Sequence, residues 1–145
     1  MTLNPKIWGP HYWFVLHTIA VGYPLKPNII LKKKMYDFIH NLPILLPIDD
    51  IGNNFSKFLN KYPVTPYLDS RNALMRWVHF IHNKINISLN KKTITFEESM
   101  TLYYEHYKPK EIKLKKIRFY QEKKTFLILL IISLLIAIYL YYNYI

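Results

Sequence analysis

Apolar positions recur at helical spacing through most of the chain. In Trp8-Gly9-Pro10-His11-Tyr12-Trp13-Phe14-Val15-Leu16-His17-Thr18-Ile19-Ala20, the residues Trp13, Leu16, His17 and Ala20 stand at i, i+3, i+4 and i+7 and share one face. Gly9-Pro10 predicts the start of this helix, because proline is tolerated in a first turn, and Tyr23-Pro24 predicts its end. Residues 27–46 carry a second pattern, with Ile30, Met35, Phe38, Ile39 and Leu42 on a broad apolar face and Lys32, Lys33 and Lys34 mainly towards solvent. Pro43 and Pro47 bracket its exit. Asp49 or Asp50 is the expected N-cap of a third, short helix holding Phe55, Phe58 and Leu59. Tyr62-Pro63 and Thr65-Pro66 mark the next loop, and Asp69-Ser70 caps a fourth helix over residues 70–90. Its apolar set is Ala73, Leu74, Trp77, Phe80, Ile81, Ile85 and Leu89, followed by the turn Asn90-Lys91-Lys92. Thr95-Phe96-Glu97-Glu98 has the form of a capping box for a fifth helix reaching Tyr104. The expectation is a small all-α domain over residues 1–107, without internal repeats or low-complexity stretches.

The pattern then changes twice. Residues 108–124 hold Lys108, Lys110, Lys113, Lys115, Lys116, Arg118, Lys123 and Lys124 against only Glu111 and Glu122, and are expected to form a basic juxtamembrane linker. Residues 125–145 carry no charged side chain. At about 1.5 Å per residue they are long enough to cross a hydrocarbon core of about 30 Å. Tyr139, Tyr141, Tyr142 and Tyr144 resemble an interfacial aromatic belt, and a buried core helix is the alternative reading. Basic residues just before a span place the preceding domain on the cytoplasmic side. The expected product is a tail-anchored, single-pass protein without an N-terminal signal peptide, since Met1 to Lys6 shows no basic region followed by an apolar run.

Composition sharpens this. A formal net charge of +11 suits an anionic partner, a membrane surface or nucleic acid. Placement of the cations beside the span, with only Phe119 and Tyr120 as interleaved aromatics, favours lipid headgroups. No specific nucleic-acid partner is expected; the rival would be salt-sensitive, nonspecific binding. Cysteine is absent, which excludes a disulfide framework, a thiolate metal site and a thiol nucleophile. No metal site is expected.

Two segments carry a family resemblance. Trp77 to Lys91 has the pattern W-x-x-x-x-H-N-x-[VI]-N-x-x-L-x-K, which resembles the flavin-binding helix of the Erv/ALR-type sulfhydryl oxidases. Trp8 to His17, W-G-x-x-x-W-x-x-L-H, resembles their first helix, and the L-P-x-x-x-x-G of Leu46 to Gly52 and the Tyr62-Pro63 turn match as well. The resemblance covers residues 4–107 and extends to the large-DNA-virus branch of the family. It implies a five-helix domain, four helices forming a bundle around FAD, commonly dimeric, that passes electrons from a substrate dithiol through a CxxC disulfide to flavin and oxygen. Carried over by position, Gly9, Trp13, His17 and Tyr23 would line FAD from the first helix, and Trp77, His82, Asn83, Asn86 and Lys91 from the fourth. Aromatic rings and imidazoles suit its rings, asparagine offers donor and acceptor, and Lys91 suits phosphate. Each also has a plain packing role: the tryptophans as core, the histidines as satisfied interior residues, the asparagines as polar-face residues.

The family motif breaks where its chemistry sits. P-C-x-x-C is replaced by Pro47-Ile48-Asp49-Asp50-Ile51, so Ile48 and Ile51 stand at the redox positions. The second cysteine pair common in the family, near Asn60 and Leu74, and the shuttle disulfide are missing too. Thiol–disulfide exchange needs an attacking and an attacked sulfur. Isoleucine can fill a cysteine's buried space but supplies neither. The expected function is therefore a membrane-anchored, catalytically inactive scaffold or partner-binding homologue of the FAD-linked sulfhydryl oxidases. It would work as a homodimer or as a heterodimer with an active relative, in a cellular or virion membrane. The alternatives are an FAD-dependent oxidoreductase working with a partner's thiols, and a nucleic-acid binder without flavin.

Overall fold

In the computed structural model, which describes residues 3–144, every regular element is helical. Met1, Thr2 and Ile145, the outermost residues of the expected 1–107 and 125–145 segments, lie outside the described residues, as do the side chains of residues 110–113 within the basic run. The chain divides into two compact units, Met1–Tyr103 and Tyr104–Ile145.

Helix α1 (Pro5–Gly22) starts earlier than Gly9-Pro10 suggests. The Asn4 side chain accepts a hydrogen bond from the Lys6 amide at 3.0 Å, and Pro5 takes the first helical position, where its missing N–H costs nothing. Pro10 consequently lies inside the helix. The Lys6 carbonyl it leaves without a donor belongs to an exposed residue, so water can satisfy it.

Helix α2 (Ile29–Asn41) is capped by Asn28, whose side chain accepts from the Leu31 amide at 2.8 Å. It is shorter than the 27–46 pattern: the chain tightens into a 3-10 turn, Leu42–Leu45, where Pro43 can no longer donate to an α-helical ladder. Met35, Ile39 and Leu42 are buried as expected, and Phe38 packs against them. Ile30 does not join them: it is exposed in the first turn, and Leu31 reaches the core instead.

Helix α3 (Asp49–Lys61) is capped by Ile48 with no side-chain bond. Asp49 and Asp50 are thus not N-caps. They are the first two helical residues, where a carboxylate favours the positive end of the helix dipole without being able to cap it. Phe55 and Leu59 are buried. Gly52 is required by close approach: a Cβ there would lie 2.3 Å from the Pro43 carbonyl oxygen.

After a 3-10 turn at Thr65–Tyr67, helix α4 (Arg71–Ser88) opens with the Ser70 hydroxyl accepting from the Ala73 amide at 3.2 Å. Leu74, Trp77, Val78 and Ile81 form its buried face. Phe80 sits on the flank, edge-on to Tyr62 at 5.1 Å, and Leu89, past the helix end, is exposed, so neither belongs to the core as the apolar pattern suggested. Asn90 closes the end in a left-handed conformation (φ 55°), which lets the Lys91 amide donate to the Asn86 carbonyl at 2.8 Å. Helix α5 (Phe96–Glu105) begins with the expected capping box: the Thr95 amide donates to Glu98 Oε2 at 2.8 Å and the Glu98 amide to Thr95 Oγ1 at 3.1 Å.

Single polar bonds lock the first unit together. Arg71 Nε donates to the Tyr23 carbonyl at 2.5 Å, and the Tyr23 hydroxyl donates to the Leu68 carbonyl at 3.0 Å. Tyr12 donates to the Leu45 carbonyl at 3.2 Å, and Tyr103 on α5 donates to Thr18 Oγ1 on α1 at 3.2 Å. The broadest helix pairing is α1 against α4.

In the second unit, α6 (Lys110–Tyr144) runs without interruption through the basic and the apolar residues, so the expected linker is helical from Lys110 onward. Its stretch Leu114–Tyr144 is long and apolar enough to cross a membrane, with its apolar side chains exposed.

Replacing Gly52 by alanine should destabilise the fold by about 2–3 kcal/mol, since the obstructing atom is backbone and cannot swing away. Denaturant titration of the wild type and Gly52→Ala checks this, and a difference within about 0.5 kcal/mol would contradict the close approach.

Candidate functional site

Helices α1 and α4 bring together Trp13, His17 and His82, residues far apart in sequence. The Trp13 and His82 rings are stacked, with centroids 4.0 Å apart and planes 6° from parallel. His17 Nε2 lies 3.3 Å from His82 Nδ1. One imidazole must donate and the other accept, so this bond exists only while at least one of the two rings is neutral. Phe55 of α3 meets Trp13 edge-on at 6.4 Å, which brings a third helix to the cluster.

Burial suppresses the charge on both histidines. His17 is lowered to a pKa of about 4, first by desolvation and then by His79. His82 is lowered to about 4 by desolvation, then by the positive charge of His17, His79 and Lys91. His79 is also lowered, mainly by burial, with Glu97 opposing and Arg76 reinforcing the shift. At neutral pH the cluster is a set of uncharged aromatic rings.

The other expected site residues divide by what already holds them. Tyr23 is buried with its hydroxyl on the Leu68 carbonyl, and Trp77 is buried with its indole N–H on the Tyr62 carbonyl at 3.1 Å. Asn83 is fully engaged: its amide nitrogen reaches the Ile94 carbonyl at 2.8 Å and His79 Nε2 at 3.1 Å, and its oxygen accepts from the Ile94 amide at 3.4 Å. It pins the segment after α4 back onto that helix. Asn86 is half-buried on α4 and Lys91 is exposed in the turn its carbonyl closes. Gly9 has no neighbour within 4 Å of where a Cβ would stand, so packing does not demand glycine there. Ile48 and Ile51 are half-buried at the entrance to α3. His79 was not singled out from the sequence; its signal was the i, i+4 spacing to Asn83.

One buried atom is unfinished. His17 Nδ1 has no hydrogen-bond partner. Whichever tautomer is present, a buried ring nitrogen is left without its bond, a cost of about 1–3 kcal/mol that a ligand's polar edge could remove. Neutral rings, an unsatisfied imidazole nitrogen, a half-buried amide on Asn86 and the nearby Lys91 cation fit an aromatic heterocycle bearing phosphate. Such a ring cannot enter between Trp13 and His82, because 4.0 Å is already van der Waals contact.

Comparison with known proteins gives the family of the chain. The model of the Erv1 / Alr family matches residues 10–120. The "Probable FAD-linked sulfhydryl oxidase" of Acanthamoeba polyphaga mimivirus is 34% identical over 75% of this chain and 77% of its own length. An FAD-linked sulfhydryl oxidase of African swine fever virus is 31% identical over 66% of this chain and 79% of its own. Among solved structures, the yeast Erv1 core superposes with a TM-score of 0.62 at 25% identity, covering 73% of this chain and 85% of that one. The FAD binding domain of Erv1 from Saccharomyces cerevisiae does so with the same score and identity, over 71% and 92%.

The histidine pair predicts an acid sensitivity with a defined sign. Both folded pKa values lie below the unfolded value of 6.5, so the unfolded chain binds more protons as pH falls, and stability is lost between about pH 6.5 and about pH 4. The loss is at most about 3 kcal/mol per histidine. Glu98, whose pKa is lowered by its bond to the Thr95 amide, adds its own loss only at more acidic pH. In denaturant titrations from neutral pH to about pH 5, His17→Gln should flatten the slope of stability against pH. Equal slopes in wild type and variant would remove the buried neutral pair as its cause.

Proposed function

The chain belongs to the Erv1/Alr family, and from that premise we propose that it is a membrane-anchored, FAD-binding member without a thiol relay, serving as a scaffold or partner-binding protein. The observation that carries this reading is the pair Ile48 and Ile51 at the entrance to α3, in a chain with no cysteine. A helix N-terminus lowers a thiol's pKa, but here the two redox positions hold hydrocarbon side chains with no group to ionise. Isoleucine cannot form a thiolate or a mixed disulfide, so no dithiol's electrons can enter through this chain's own atoms.

Trp13 and His82 would offer the outer surfaces of their stack to FAD, His17 its free Nδ1, Asn86 its side-chain amide, and Lys91 its ammonium to the diphosphate. Tyr23, Trp77 and Asn83 have their polar atoms bonded within the protein, so they would contribute ring faces or positioning. Bound FAD would supply two-electron redox chemistry. The chain's residues hold a neutral, aromatic bed for it, whose proton inventory does not change near neutral pH.

Anchoring is assigned to residues 125–145, with the cations of residues 108–124 at anionic headgroups on the cytoplasmic face. Pairing with a second copy or with a cysteine-bearing relative through the helical unit would give such a protein its role.

Purified in detergent, the protein should be yellow, yet with dithiothreitol it should consume oxygen no faster than the same amount of free FAD. Oxygen uptake well above that control would overturn the reading. Ile48→Cys combined with Ile51→Cys, in protein shown to hold FAD, should raise thiol-dependent oxygen uptake by ~tenfold or more, about 1.4 kcal/mol of barrier. No gain in the flavin-loaded double variant would mean that more than two sulfur atoms separates this site from an oxidase.

A further inference from the structure

We propose that the surface formed by the 3-10 turn Leu42–Leu45 and the first turn of α3 docks a partner segment of defined chemistry: apolar side chains flanked by lysine or arginine. This rests on the partner-binding reading above and names the partner's class.

The surface is apolar where it has no structural reason to be. Ile44 is 81% exposed and Leu45 63%, on a turn whose other members, Leu42 and Pro43, are buried. The turn is braced from three sides. Tyr12 holds the Leu45 carbonyl, Gly52 lies against the Pro43 carbonyl, and Pro43 and Pro47 restrict the backbone at either end. On α1, Tyr12 is itself backed by Trp8, edge-on to it at 5.3 Å. Two large aliphatic side chains on a braced turn lose little conformational freedom when covered, which is what a docking knob requires.

Charge decides what covers it. The chain has 20 basic and nine acidic residues, yet Asp49 and Asp50 stand side by side and exposed in the α3 turn that packs on this knob. Neither has a salt-bridge partner among the described residues. An anionic bilayer or a nucleic acid would be repelled there. A second copy docking face to face would bring the same two carboxylates against their equivalents. A cationic, apolar segment meets both the knob and the rim.

The test uses the full chain in nanodiscs of zwitterionic lipid and a fluorescein-labelled synthetic peptide of leucines flanked by lysines, read by anisotropy. The control peptide has glutamates in place of the lysines. The lysine peptide should bind ~tenfold or more tightly than the glutamate peptide. Ile44→Ser with Leu45→Ser should weaken it by ~tenfold while leaving the circular dichroism unchanged, because both side chains are outside the core. Asp49→Asn with Asp50→Asn should abolish the preference for lysine and its salt dependence. Equal binding of the two peptides, or binding untouched by both double variants, would overturn the proposal. So would a sedimentation experiment in which Ile44→Ser with Leu45→Ser dissolves a self-associated form without affecting the peptide. No thiol or oxygen enters these titrations, so their failure is distinct from a failure of the oxygen-uptake test.

Discussion

The contact of a buried imidazole, His17, and a half-buried one, His82, with each other and with Trp13 is the interaction around which the first unit is arranged. The face-to-face contact of Trp13 with His82 and the bond between His82 and His17 join α1 to α4, the broadest helix pairing among the described residues. A proton on both rings would set two cations with ring nitrogens 3.3 Å apart in a largely desolvated site. The desolvation that makes those charges costly also makes the rings good partners for another aromatic ring. Packing and the proposed flavin recognition would therefore ask for the same state of the same atoms. Arg71 on the Tyr23 carbonyl and Tyr103 on Thr18 fix the ends of an arrangement that this contact sets in the middle.

Where the determining interaction is local, the sequence told it well. The Ser70 cap and the Thr95–Glu98 capping box are bonds between residues three apart, and both form as their spacing implies. The face of α4 through Leu74, Trp77 and Ile81 follows from helical periodicity alone. The misses are equally physical. Asn4-Pro5 outcompetes Gly9-Pro10 because a side-chain cap followed by proline is a stronger start than glycine followed by proline. Asp49 resembled a cap because aspartate favours both the cap and the first turn, and only backbone geometry separates the two. The need for glycine at position 52 arises from the carbonyl of residue 43, which no local rule could foresee. Within the candidate site, motif spacing supplied the residue types, but the 3.3 Å meeting of His17 with His82 is a product of tertiary structure.

Isoleucine at positions 48 and 51 keeps hydrocarbon at the helix start and leaves no sulfur there. Ile48 and Ile51 are half-buried at a helix start capped at the backbone, and the turn before it is braced by the bond from Tyr12 to the Leu45 carbonyl. Burial of a branched hydrocarbon in place of a small thiol preserves packing. What disappears is the sole type of atom able to accept and release an electron pair through a sulfur–sulfur bond. On the proposed reading a scaffold would outlive its reaction, and what stands at this helix start is an exposed apolar turn, Ile44 and Leu45, beside the exposed carboxylates Asp49 and Asp50.

Helix α6 carries its cations and its aliphatic residues on one unbroken rod of 35 residues, about 50 Å at 1.5 Å per residue. A rod has no joint at which its two halves could adjust separately. Placed in a bilayer, it would answer a change in hydrocarbon thickness as a whole, by tilting or by shifting Lys123 and Lys124 relative to the acyl chains. Thinner and thicker membranes would then differ in how many of its ammonium groups reach the phosphate layer.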